Sequence, residues 1–192
     1  MIGSQSNEWN WNYSGDTLSM CFRLERGTIK VFNTHYKIRE LQTFPSAGQP
    51  FCCKDAELLT AYQEGLSELG LNEDGCLDLG INAVACERFV RPSAPVTRLF
   101  FSFGDGAVYP AGSVVTVYTL GRQAGDCLVL EERDSDGLAR LMLLNPKLDI
   151  GRGLAVTLGH MIRVNPAILC SFRAYSVKEA EQAPGLNGRR YA

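Results

Sequence analysis

The sequence predicts an α+β fold: an N-terminal α/β part made of a hairpin and two helices, then a small, twisted, β-barrel-like C-terminal domain. Three observations predict it. Leu18, Met20, Phe22 and Leu24 alternate with Ser19, Cys21, Arg23 and Glu25, a two-residue period. Between Asp55 and Phe89 the apolar spacing changes to three and four residues. From Arg98 onward the strand period returns, in short runs punctuated by Gly and Asp.

Residues 8–33 read as strands. Gly27 supplies a turn with positive φ, and Thr28 to Phe32 returns with Ile29 and Val31 against Lys30 and Phe32. The stretch Pro45-Ser46-Ala47-Gly48-Gln49-Pro50 is a loop. Asp55 is the expected N-cap of a first helix, whose stripe is Leu58, Leu59, Tyr62, Leu66 and Leu69, with Gly70 as its stop. Asn72 caps a second helix, with Glu73 and Asp74 favourable in its first turn. Its stripe is Leu77, Ile81, Val84, Ala85 and Phe89, and Pro92 ends it, because the residue before a proline is pushed out of the helical region.

Seven strands are expected after that: Arg98–Phe103, Ser113–Leu120, Cys127–Glu132, Ala139–Leu144, Ala155–Leu158, Met161–Val164 and Ile168–Ser176. Gly104-Asp105-Gly106, Asp134-Ser135-Asp136-Gly137 and Gly151-Arg152-Gly153 are the turns. The expected division is residues 1–92 and 93–177, with a polar tail over 178–192 that is expected to be mobile.

Both tryptophans lie in Asn7-Glu8-Trp9-Asn10-Trp11-Asn12-Tyr13, and at strand period Trp9, Trp11 and Tyr13 share one face. Two readings stand: a core-facing first strand, or an aromatic platform for a partner.

Composition excludes several function classes. The chain has 192 residues, 45% of them hydrophobic and 21% charged, as in ordinary soluble domains. The formal net charge is −2, so no general nucleic-acid footprint is expected. Residues 1–97 hold 8 basic and 12 acidic side chains, the remainder 11 and 9. No apolar run approaches the roughly 20 residues that cross a bilayer. The first eight residues are polar and lack a signal-peptide core. A cytoplasmic protein without membrane insertion is therefore expected. The seven cysteines are odd in number, irregularly spaced and form no Cys-x-x-Cys pair, so they read as reduced, mostly buried small hydrophobes.

Catalytic constellations are not legible. His35 and His160 lack a metal-ligand spacing. Gly104-Asp105-Gly106 is too short to cradle a phosphate. Asp134-Ser135-Asp136-Gly137 lacks the later glutamate of a calcium loop and reads as a hairpin turn. No enzyme activity, metal or cofactor is expected.

The aromatic opening above is followed in order by Met20–Gly27, Phe44-Pro45-Ser46-Ala47-Gly48, Phe51-Cys52, Asn82-Ala83-Val84-Ala85, Phe89-Val90-Arg91-Pro92, Leu128–Glu131 and Ile150-Gly151-Arg152. By this set, over roughly residues 7 to 177, the chain resembles the ZapC family of bacterial cell-division proteins. Met20–Gly27 keeps the family's spacing from the tryptophans, and Phe44–Gly48 differs from the family's Phe-Ser-Pro-Ala-Gly by a Pro/Ser exchange and a short insertion after it.

The resemblance implies a non-enzymatic factor at the mid-cell division site. It would bind polymers of the tubulin-like protein FtsZ, promote lateral association of protofilaments and slow their GTP turnover. It also implies site residues. Arg91 keeps a basic position before the proline that ends the second helix. A second basic position after the next proline is Val96 here, with Arg98 close by. Phe22 aligns with a family leucine of an apolar surface or pocket, which Trp9, Trp11 and Met20 would line with it. The alternative from another class is a small-ligand-binding or single-stranded nucleic-acid-binding β-barrel. Monomer and weak dimer both remain open.

Overall fold

A computed structural model describes residues 9–23, 28–102, 104–151 and 153–172. The expected hairpin turn at Gly27, the residue Arg152 and the tail from Lys178 lie outside the described residues.

Strands β1 (Trp9–Ser14), β2 (Thr17–Arg23) and β3 (Ile29–Lys37) form a meander, and the short β4 (Gln49–Pro50) adds to the free side of β1. The order in this four-stranded sheet is β3-β2-β1-β4. Its register places Trp9 opposite Phe22, Trp11 opposite Met20 and Tyr13 opposite Leu18. One face therefore carries the whole aromatic row, as the two-residue period requires. The register slips between Thr17 and Ser19. The Thr34 hydroxyl donates to the Leu18 carbonyl at 2.7 Å.

Helix α1 (Cys53–Leu66) and helix α2 (Glu73–Phe89) cover this face. The α2 cap is as expected: Asn72 accepts the Gly75 N–H at 2.8 Å. The α1 cap is not. Cys52 is the N-cap and Asp55 is the third helical residue. Asp55 is fully buried: its carboxylate accepts the N-cap Cys52 N–H and also takes a buried indole N–H and an arginine. The expected stop at Gly70 appears with φ 68° after a 3-10 turn, Ser67–Leu69. The second helix ends at Phe89, and Val90 is already extended ahead of Pro92.

Beyond its expected stripe, α2 also buries Cys76, Gly80, Asn82, Ala83 and Cys86. The physical reason is its position as a middle layer: α2 packs on β3, on α1 and on the C-terminal sheet. A helix with neighbours on several sides shows no clean polar face.

The C-terminal sheet has five antiparallel strands in the order β10-β7-β6-β5-β11. They are β5 (Val114–Tyr118), β6 (Ala124–Glu131), β7 (Ala139–Leu143), β10 (Met161–Val164) and β11 (Cys170–Ser171). A separate hairpin joins β8 (Lys147–Gly151) to β9 (Leu154–Thr157). Among the described residues β10 and β11 do not pair, so the sheet is open and not a closed barrel.

Two expected strands are replaced. Over Arg98–Phe103 there is a 3-10 turn, Thr97–Leu99, and a single bridge from Phe100 to Thr119. Leu99 and Phe100 are successive and both buried, which a regular strand with one solvated face does not allow. The expected Ile168–Ser176 strand begins instead with a 3-10 turn, Pro166–Ile168, whose proline has no N–H to give a ladder. Among the described residues Cys170–Ser171 pairs, and residues 173–176 of the expected strand lie outside them. Strand β8 was not expected, although Leu148 and Ile150 are buried in alternation with exposed Lys147 and Asp149.

The sheet is buried on both faces. Val114, Leu128, Leu130, Met142, Leu144 and Met161 join the core under the helices. Val115, Val117, Val129, Leu141 and Leu143 join a second core with Leu148, Ile150 and Val156 from the β8–β9 hairpin. Arg140 bridges the layers, donating to Glu131 at 2.6 Å and to Glu87 of α2 at 2.8 Å.

Helix α1 approaches the sheet closely at Gly65, where a Cβ would collide with the Gly112 carbonyl oxygen. Gly65→Ala is expected to destabilise the fold by about 1–3 kcal/mol through overpacking. Thermal unfolding checks this, and a drop of at least about 2 °C is the expected sign. An unchanged midpoint would show that α1 can shift without cost.

Candidate functional site

The aromatic row is continuous but unevenly exposed. Trp11 and Met20 have no exposed surface, whereas Trp9 and Phe22 are half-buried. Trp9 meets Phe22 edge-on, with centroids 5.0 Å apart and planes at 70°. Phe51, from the loop before α1, lies 5.3 Å from Trp9 and 5.9 Å from Trp11. Phe89 at the end of α2 meets Trp11 edge-on at 5.1 Å. The four residues expected to line one surface are thus brought together. The inner two form core, and the outer two leave an apolar margin. Tyr13, the third aromatic of the row, donates its hydroxyl to the Pro45 carbonyl at 2.8 Å and holds the following loop. Phe44 in that loop is 60% exposed.

A buried polar cluster lies behind the row. The Trp11 Nε1–H donates to Asp55 Oδ2 at 3.2 Å, and the Cys52 backbone N–H donates to the same oxygen at 3.0 Å. Arg88, near the end of α2, forms an ion pair with the other Asp55 oxygen. The same guanidinium lies over the Phe89 ring at 5.4 Å and donates to Cys52 Sγ at 3.4 Å. That hydrogen bond holds the exposed Cys52 thiol below its ordinary value, against a smaller opposing effect of burial.

Sequence reasoning missed this cluster. Trp11 and Asp55 are 44 residues apart, and no local spacing connects them.

All seven cysteines are free, and only Cys76, Cys86 and Cys127 are buried, so the expectation of mostly buried thiols is corrected at Cys52 and Cys53. Burial pushes the Cys86 thiol up to about 12. Alkylation with iodoacetamide at neutral pH is expected to label Cys52 well before Cys86 and Cys127. Counting under denaturing, non-reducing conditions should recover all seven. Equal labelling rates at Cys52 and Cys86 would contradict the picture.

Arg91 and Arg98 are both exposed and belong to the segment that links α2 to β5. Arg91 follows the α2 C-cap, and its backbone N–H donates to the Glu40 carbonyl at 2.9 Å, next to a bridge between Leu41 and Val90. Arg98 lies in the 3-10 turn Thr97–Leu99.

The segment between them is tied to β10. The Val96 N–H donates to the Arg163 carbonyl at 3.0 Å, and Pro95 bridges to Arg163. The Arg163 guanidinium reaches Asp134 at 2.7 Å, Asp136 at 2.5 Å and the Ser93 carbonyl at 3.4 Å. The expected hairpin turn at Asp134–Gly137 therefore doubles as an anchor for the linking segment. Val96 is half-buried against the second core.

Among the described residues no three His, Cys, Asp or Glu side chains sit close enough to hold a metal ion. No helix among them is long and apolar enough to cross a membrane.

Known proteins with similar sequences fit this arrangement. The family description "Cell-division protein ZapC, N-terminal" matches residues 4–91, the part that contains the aromatic sheet, both helices and Arg91. A cell division protein ZapC of Musicola paradisiaca is 25% identical over 166 residues, 85% of this chain and 87% of that protein. One from Aeromonas hydrophila is 29% identical over 126 residues, covering 66% and 69%. One from Photobacterium profundum is 31% identical over 116 residues, covering 59% and 63%. With the family's N-terminal part matched over residues 4–91 and the likeness to the Musicola protein covering 85% of the chain, this chain is similar to the ZapC family of cell-division proteins.

Proposed function

We propose that this chain acts in cell division by binding FtsZ polymers, drawing protofilaments together sideways and lowering their GTP turnover, with no reaction of its own. The observation that supports this most directly is Arg91. It is exposed, its backbone is pinned to Glu40, and it follows the end of α2 three residues after Arg88, which is bonded into the aromatic cluster. An exposed cation on a backbone fixed at this point suits a partner that is acidic and repetitive. Single weak contacts become effective along a polymer through multivalency.

Trp9 and Phe22 supply the apolar part of this surface in the proposal. Trp11 and Met20 act from beneath by fixing their positions. Arg98 adds a second cation on the same linking segment.

The small-ligand reading is weaker, because Trp11 and Met20 are fully buried and the row is filled by Phe51 and Phe89.

Co-sedimentation with FtsZ assembled in GTP, followed by negative-stain imaging, tests the reading. Co-pelleting at micromolar protein and closer filament spacing are expected. No co-pelleting and unchanged spacing would overturn it.

A further inference from the structure

The tip of the helical hairpin carries a groove that the aromatic row and the arginine segment do not use. It has a volume of about 660 Å³ and is lined by Glu64 and Ser67 at the end of α1, Leu71 in the connection, and Glu73, Asp74 and Leu77 at the start of α2. The three carboxylate residues are exposed, whereas Leu71 and Leu77 are half-buried on the main core. The result is an apolar floor with an acidic rim.

Two further features leave the rim negative, although Glu73 and Asp74 also offset the positive N-terminus of α2. The last turn of α1 and the 3-10 turn after it hold no basic residue, so the negative end of the helix is not offset there. Lys30 approaches Asp74, but at 3.8 Å and with both side chains well exposed. A pair of that kind contributes little and leaves the rim negative.

The chain itself contains a segment of the complementary chemistry, Arg189-Arg190-Tyr191, two cations followed by an aromatic. We propose that this segment docks in the groove, with the arginines against Glu64, Glu73 and Asp74 and Tyr191 on the Leu71–Leu77 floor. The described chain ends at Phe172, which packs on the same core as those two leucines. β11 places Ser171 opposite Val115, and Gly112, just before β5, lies against Gly65 of α1. The described chain therefore ends near the last turn of α1. Residues 173–188 reach about 50 Å when extended, ample to pass around a helix roughly 10 Å across. A tethered segment acts at an effective concentration on the order of millimolar, so a weak contact suffices. The inference is independent of the proposed FtsZ contact.

The test compares backbone amide spectra of the full-length protein and its R189Q/R190Q variant. Apart from the amides next to the substituted arginines, shift changes confined to residues 63–77 are expected. They should disappear in about 1 M salt, where the screening length is about 3 Å. In a full-length E64Q/E73Q/D74N background the same arginine substitutions should change nothing at the groove. Superimposable spectra over residues 63–77 in low salt would overturn the proposal. So would changes that scale with protein concentration, which would assign the groove to the tail of a second copy. Unaltered amides in β5, β6 and β7 serve as the check that every variant is folded.

Discussion

Arg91→Asp is expected to weaken binding to GTP-assembled FtsZ by more than about tenfold while lowering the melting temperature only slightly. The two effects separate because the side chain and the backbone of Arg91 do different jobs. Its backbone N–H is spent on the Glu40 carbonyl, and the Leu41–Val90 bridge holds the chain on the preceding side. Neither needs the guanidinium. As a cation near a helix C-terminus, the side chain contributes about 0.3–1 kcal/mol to stability. At a charged contact with an acidic partner, reversal replaces an attraction by a repulsion and costs several kcal/mol, well over a factor of ten in affinity. Binding by the parent should also fall with salt, because exposed charges are screened within about 10 Å at 0.1 M.

The matched control is Arg122→Asp. Arg122 sits in a turn after β5 with φ 62°, a conformation that aspartate tolerates, so reversal there is expected to be harmless to the fold. If both variants bind like the parent while folded, Arg91 is no contact, and Trp9 and Phe22 become the surface to substitute next.

The sequence made the elements legible where a local period or cap signal marked them. The 17–23 strand, the Asn72 cap and the Met161–Val164 strand all appear where those signals placed them. It failed where a contact partner was remote in sequence. Leu99-Phe100 and the extra buried face of α2 report neighbours that come from distant parts of the chain. Asp55 looked like a cap because local chemistry favours it there, and only the fold brings Trp11 and Arg88 to claim it. Likewise, the aromatic row was legible as a row, but not the division into sealed Trp11 and Met20 and half-exposed Trp9 and Phe22. That division depends on Phe51 and Phe89, which arrive from the loop before α1 and the end of α2.

Arg88→Ala is expected to destabilise the protein by about 3–5 kcal/mol, the range for removing one partner of a buried ion pair. Asp55 is fully buried, and without the guanidinium its carboxylate keeps only the Trp11 indole and the Cys52 amide. Against a total stability of about 5–15 kcal/mol this is a large loss. The sign of the second step identifies the cause. Adding Asp55→Asn to Arg88→Ala removes the stranded charge while keeping an acceptor for the indole, so the double variant should be more stable than Arg88→Ala alone. Asp55→Asn by itself should cost less than Arg88→Ala, because the arginine side chain is 23% exposed and can turn toward water. Urea unfolding followed by tryptophan fluorescence reads all three variants, with Trp11 reporting from inside the cluster. If the double variant is no more stable than Arg88→Ala, charge is not what matters. Arg88 would then act by packing, its guanidinium over the Phe89 ring. In that case Arg88→Met should restore most of the loss, and the buried carboxylate would be an ordinary hydrogen-bond acceptor for Trp11.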